Sequence, residues 1–240
     1  IKLIIPYLVA MAVILPVLFF YKKEKASYRL FLLFFAFSLV EIFLWVLPAM
    51  FVQFQLFRGM WNWSGKVYAI IGAIVFYLLF RENFAEHDFV RLQQKEGSVK
   101  LTLAATILLV TLAPLGDTLL LPAAVNPETL GFQVTLPGLD EELAFRGIML
   151  GLLVTALSNR LEIGRLNLGH PAMWVTAVLF GFVHGLRFGG ALYMDWFHFG
   201  MTAVIDLILA WMTLKSRSIL MPIVAHNLYN FSLHLTEMLK

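Results

Sequence analysis

The chain has 240 residues, 60% of them hydrophobic and only 14% charged, with 22 Phe and a mean hydropathy of +0.82. Soluble domains carry about 25% charged residues, and a body with this excess of apolar side chains lacks the polar surface to face water, so the composition excludes a soluble domain and implies an integral membrane protein. The lack of Cys excludes disulfides, thiol nucleophiles, iron–sulfur clusters and Cys-ligated zinc, and the net charge of +3 reads as membrane topology, with no nucleic-acid partner.

A spanning helix takes about 20 residues, so eight use roughly 160 and leave about nine per connection, near the ceiling for this length. Apolar runs broken by charge predict an all-α, polytopic helix bundle of about eight spans: Leu3 to Tyr21, Leu30 to Val52, Trp61 to Phe80, Leu101 to Leu115, Glu141 to Leu157, Pro171 to Leu186, Trp196 to Leu214 and Ile219 to Leu235. We read one membrane domain, 1–240, with an N-terminal set of four helices (1–116) and a four-helix core (141–235). The first span is too long for a signal-peptide apolar region and is followed by Lys22, Lys23 and Lys25, so it is read as retained.

Two stretches do not read as spans: the polar loop Arg81 to Lys100, and Asp117 to Asp140 with Pro122, Pro127 and Pro137. Lys and Arg in alternate connections number 12 on one side against five on the other, and Arg146, inside a span, is the eighteenth. The positive-inside rule then puts both termini and the Pro-rich loop outside the cytoplasm.

A charge at membrane depth is costly unless paired or hydrated, and the second half of the chain concentrates such groups. Glu141, Glu142 and Arg146 open the fifth span, His184 ends the sixth, His198 and Asp206 lie in the seventh, and His226 and Asn230 in the eighth. With helices alternating in direction, both acids, His184 and His198 fall near the Pro-rich-loop face, while His226 reaches mid-depth and Asn230 lies about 6 Å higher. Glu142 and Arg146 are four apart in the favourable order for an ion pair, and Glu141 is rotated about 100° away, leaving it free for another partner. Such a set suits amide hydrolysis, with a Glu taking a proton from water and imidazole and amide donors holding the oxyanion. The same groups could instead glue helices together, but Ser, Thr and Gly are cheaper adhesives.

The patterns of other intramembrane proteases are incomplete. Asn62-Trp63-Ser64-Gly65 lacks the first glycine of a rhomboid-type serine motif, Pro114-Leu115-Gly116-Asp117 lacks that of an aspartyl motif, and no His begins His-Glu-x-x-His. Three other motifs occur in order on three apolar spans: Glu141-Glu142-Leu143-Ala144-Phe145-Arg146, Phe180-Gly181-Phe182-Val183-His184 and His226-Asn227-Leu228-Tyr229-Asn230. This pattern closely resembles the CPBP family, which includes type II CAAX prenyl endopeptidases and bacterial proteins linked to bacteriocin processing and self-immunity. The resemblance covers roughly Leu139 to Asn230; the first four spans match only as generic membrane helices.

The resemblance implies that Glu141 activates water, His184 helps to position it, His226 and Asn230 supply oxyanion donors, and Glu142 and Arg146 brace the site. It also implies a multi-pass protein, here expected in a prokaryotic plasma membrane, acting on a peptide or membrane-anchored protein; the oligomeric state stays open. Glu141, His184 and His226 could alternatively hold zinc, but that use leaves Glu142, already facing Arg146, as the base, so the metal-free, cofactor-free reading is preferred. Rival functions are a non-catalytic immunity or scaffold protein and a proton-coupled transporter. Outside the motifs, His198 reads as a membrane-interface His, Glu41 and Asp206 as packing or pairing residues, Phe180 as packing, and His87, His170 and His234 as hydrated.

Overall fold

The computed structural model describes residues 4–21, 27–117, 123–157 and 160–240 and is nearly all-α. The elements are α1 (Ile4–Tyr21), α2 (Ser27–Met50), α3 (Trp63–Phe80), α4 (Val99–Asp117), α5 (Pro127–Gln133), α6 (Leu136–Glu141), a π-helical segment (Glu142–Met149), α7 (Leu150–Ala156), α8 (Pro171–Gly185), α9 (Trp196–Ser216) and α10 (Leu220–Leu239). Two short antiparallel hairpins, β1–β2 (Glu162–Ile163 with Leu166–Asn167) and β3–β4 (Leu186–Phe188 with Leu192–Met194), flank α8. Lys22, Lys23, Lys25 and Pro122, used in the topology argument, lie outside the described residues.

Among the described residues three helices are long and apolar enough to cross a membrane, Ser27–Met50, Trp63–Phe84 and Trp196–Ser216; Ile4–Leu18, Val99–Pro114 and Pro171–Gly185 are shorter apolar helices. The expected eight spans are therefore matched only in part. The fifth departs most. It begins at Leu136, within the stretch expected to be loop, and its backbone stays right-handed helical through the π segment to Ala156. The Pro-rich stretch is thus partly helical, because Pro127 and Pro137 each sit in a first turn, where the missing N–H costs nothing. α10 spans 20 residues but carries His226, Asn227, Asn230, Ser232 and His234 along its length.

Large apolar side chains are both buried and outward: Phe34, Phe37, Ile148, Leu150 and Leu153 are fully buried, whereas Leu32 is 69% and Leu79 72% exposed. An outer surface this apolar suits lipid rather than water. Inside, α8 packs along α9, α10 against α4, α2 against α3 and α7, and α3 against α6. Gly181 and Gly185, four apart on α8, let α9 approach closely: a Cβ on Gly181 would lie 2.9 Å from the Phe199 carbonyl, and one on Gly185 2.9 Å from that of Asp195. That close crossing fixes His184, between the two glycines.

Candidate active site

The site begins at α6. Thr135, at its N-cap position, offers no side-chain cap. Asn227 of α10 takes that role from across the bundle: Gly138 N–H donates to its Oδ1 at 2.7 Å, and its Nδ2 donates to the Thr135 carbonyl at 2.9 Å. An orphan helix N–H is thereby satisfied, and α6 is pinned to the helix that carries His226. α5 is anchored in turn by Glu128, which accepts from Met60 N at 2.8 Å and Trp63 Nε1 at 3.1 Å. The turn before α3 is held by Asn62, which accepts from Gly65 N at 3.0 Å and donates to the Trp45 carbonyl at 2.7 Å.

The two adjacent acids stand at the junction of α6 and the π segment, a helix variant that recurs at functional sites. Glu142 turns inward. Its Oε2 is 2.9 Å from Arg146 Nε, Arg146 Nη2 is 2.9 Å from Asp206 Oδ1, and all three side chains are fully buried. These contacts are ion pairs whose N–H directions miss hydrogen-bond alignment. Arg146 also lies over the Phe180 ring, 5.1 Å from its centroid. Glu142 Oε1 accepts from His226 Nδ1 at 2.7 Å.

Glu141 turns outward into a cavity of about 740 Å³, within the usual size of ligand sites. It is not free, as its rotation from Glu142 had suggested. Lys66 Nζ donates to Glu141 Oε1 at 2.6 Å and to Asp140 Oδ2 at 2.7 Å, and Glu41 lines the same cavity as Asp140. Lys66, counted above among the five although it falls within the expected span Trp61 to Phe80, lies inside α3 and is buried. Glu141 Oε2 has no hydrogen-bond partner among the described residues; it lies 3.8 Å from His226 Nε2 and 4.0 Å from His184 Nε2.

Both imidazoles are oriented from behind. His184 Nδ1 is 3.0 Å from the Phe180 carbonyl, which can only accept, and His226 Nδ1 faces the Glu142 carboxylate, so each Nδ1 is assigned the hydrogen and each Nε2 is turned toward Glu141. Phe180 packs its ring 4.2 Å from that of His184. Asn230 lines the same cavity, its Nδ2 donating to Gln133 Oε1 at 3.2 Å. The structure thus brings Glu141, His184, His226 and Asn230 to one cavity and sets Glu142 and Arg146 behind it.

The other ionisable residues sort differently. Asp206 pairs with Arg146. Glu41, from α2, is buried at the cavity wall. His198 lies at the wall too, its Nδ1 2.6 Å from Asp195, the N-cap of α9, whose carboxyl is held below the ordinary range chiefly by the His198 backbone N–H. His234, expected to be hydrated, pairs with Glu237 at 2.7 Å and lines the cavity. His170 caps α8, accepting from Ala172 N at 3.1 Å.

Zinc was the alternative occupant. Two outward Nε2 atoms and one carboxylate oxygen have the right chemistry, but ligands about 2.0–2.2 Å from a tetrahedral ion stand roughly 3.3–3.6 Å from one another, and here the oxygen is 3.8 and 4.0 Å from the two nitrogens. No group of three or more His, Asp or Glu among the described residues is spaced to hold a metal ion, and the Lys66 ammonium already occupies the carboxylate a dication would need. The residues as arranged do not fit that site.

Residues 127–232, a segment holding all six motif residues, match the family model described as type II CAAX prenyl endopeptidase, Rce1-like. Over those residues the chain is similar to the Rce1-like family. That similarity is consistent with the CPBP resemblance and supports, at a coarse level, a membrane protease of the CAAX type. No curated protein and no solved structure matches the chain. Lys66, Glu41 and Trp45 lie outside the matched residues, yet they line the same cavity. Only their shared polarity in otherwise apolar runs could have flagged Lys66 and Glu41 as partners.

Proposed function

We propose that this protein is an intramembrane endopeptidase that hydrolyses a peptide bond of a membrane-associated or lipid-anchored protein or peptide, without metal. The observation that carries the reading is Glu141 Oε2, a buried carboxylate oxygen with no hydrogen-bond partner among the described residues, on a residue that lines the cavity and beside two imidazole Nε2 atoms. A water held there gives a proton to Glu141 as its oxygen attacks the substrate carbonyl carbon; the carbonyl oxygen becomes the oxyanion, and the proton passes to the leaving amine when the C–N bond breaks. His184 Nε2 accepts the water's second hydrogen and so orients it. The oxyanion is held by Asn230 Nδ2 and His226 Nε2. Donation from His226 requires the doubly protonated ring, whose Nδ1–H the Glu142 carboxylate accepts.

The apolar walls, Trp45, Phe132, Phe145 and Val183 among them, suit a substrate that arrives from the bilayer. Membranes from cells expressing wild type or Glu141→Gln, compared by mass spectrometry of cleavage products, test the reading. A general base contributes about 10²–10⁴-fold, so Glu141→Gln is expected to lose cleavage on that scale while unfolding at the wild-type temperature. Equal cleavage by the variant overturns the proposal. Chelator-treated protein is expected to stay active; loss of activity restored by zinc overturns the metal-free route.

A further inference from the structure

The mechanism above uses one oxygen of Glu141 and leaves unexplained why that oxygen, and not its twin, faces the imidazoles. The terminal torsion of a Glu side chain is broad and roughly two-fold, so an unrestrained carboxylate does not hold one oxygen in place. Lys66 removes that freedom: its ammonium sits 2.6 Å from Oε1, leaving Oε2 as the oxygen toward His184 and His226. The ammonium is itself fixed by Asp140 at 2.7 Å, the residue before Glu141 on the same helix. The same ammonium therefore ties α3 to α6 through Asp140 and fixes the Glu141 carboxylate. Lys is suited to the task because its compact ammonium offers three donors and no acceptor.

We infer that Lys66 is a positioning residue for the water-activating step, holding the Glu141 carboxylate in the orientation that presents Oε2 to the water. The inference rests on the protease reading above. It also means that the Rce1-like segment, residues 127–232, does not contain everything its reacting group needs.

Steady-state kinetics of the purified full chain in detergent, with a quenched farnesylated CAAX peptide as probe, test it. Lys66→Met is expected to lower kcat about 10–100-fold with KM within about twofold, because a misplaced reacting group slows chemistry without weakening binding. Lys66→Arg, which keeps the cation, should recover part of that loss, a rescue that helix joining alone does not predict at an unchanged unfolding temperature. If Lys66→Met does not fold, Lys66→Gln decides by the same split, since its amide still donates but is one bond shorter. An unchanged kcat, or a raised KM at unchanged kcat, overturns the inference. Glu141→Gln, run in parallel, separates the two claims: an active Glu141→Gln sinks the protease reading itself, whereas an inactive Glu141→Gln beside a fully active Lys66 variant sinks only the role of Lys66.

Discussion

Glu141 and Glu142 are neighbours on one helix and end in opposite surroundings. Glu142 belongs to a closed set with Arg146, Asp206 and His226, in which both carboxylates face a cation and the first three side chains have no exposure. Glu141 belongs to an open set with Lys66 and Asp140, in which its side chain keeps 19% exposure and one oxygen stays uncommitted. Full burial of charge requires every group to be answered, and reactivity requires one that is not. The chain separates these demands by placing the acids on successive residues, so that one helix supplies both the closed set and, in the proposed reading, the reacting group.

The contrast predicts that the two sets fail in different ways. Arg146→Met should be the most damaging change, leaving Asp206 as an uncompensated buried acid and Glu142 with His226 alone, at a cost of about 3–5 kcal/mol, read as a large drop in the unfolding temperature in detergent. Glu141→Gln, by contrast, should cost activity and little stability; equal loss of stability in the two variants would erase the distinction. Asn227→Ala should cost about 1–3 kcal/mol by leaving the Gly138 N–H and the Thr135 carbonyl without their partner, and should lower cleavage as well because α6 carries Glu141. Gly138→Ala tests the same joint sterically: its Cβ would lie 2.6 Å from Asn227 Oδ1 and 2.8 Å from the Ile223 carbonyl, an overpacking cost of about 1–3 kcal/mol.

The smallest effect belongs to a pair at the watery rim. Asp195 is held below the ordinary carboxylate range, mainly by the His198 N–H, so its contribution is present above that range and lost as pH falls through it. Asp195→Ala should lower the unfolding temperature slightly near neutral pH, and the difference from wild type should shrink as pH falls from about 5 to about 3. A difference that persists in acid would mean that the cap acts through something other than its charge.

The sequence motifs named the residues that the structure gathers, because each lies in an otherwise apolar run where a polar side chain stands out. The Glu142–Arg146 pairing followed from four-residue spacing and is present at 2.9 Å. Lys66 escaped notice for the opposite reason: it sits in the first turn of α3, where a charge reads as the edge of a loop, and its partners come 74 and 75 residues later. Asn227 was hidden inside a motif, one residue from His226, on a face whose use depends on where α6 lies. The π segment left no mark either, since Gly147 is its one helix-weakening residue and its eight buried positions read as ordinary helix. Helix identity is local; which helix a buried charge answers is not.

The position of Lys66 has a consequence for how the protein is made. α3 leaves the ribosome 74 residues ahead of Asp140, an interval of roughly 4–15 s at about 5–20 residues per second. Over that time the ammonium has neither of its hydrogen-bonded acids, at an insertion cost that reaches about 2.5–3.5 kcal/mol for a charge at the centre of a span and is relieved here by its place in the first turn. When α6 arrives, Lys66 gains Asp140 and Glu141 as partners, ahead of the helices that bring His184 and His226.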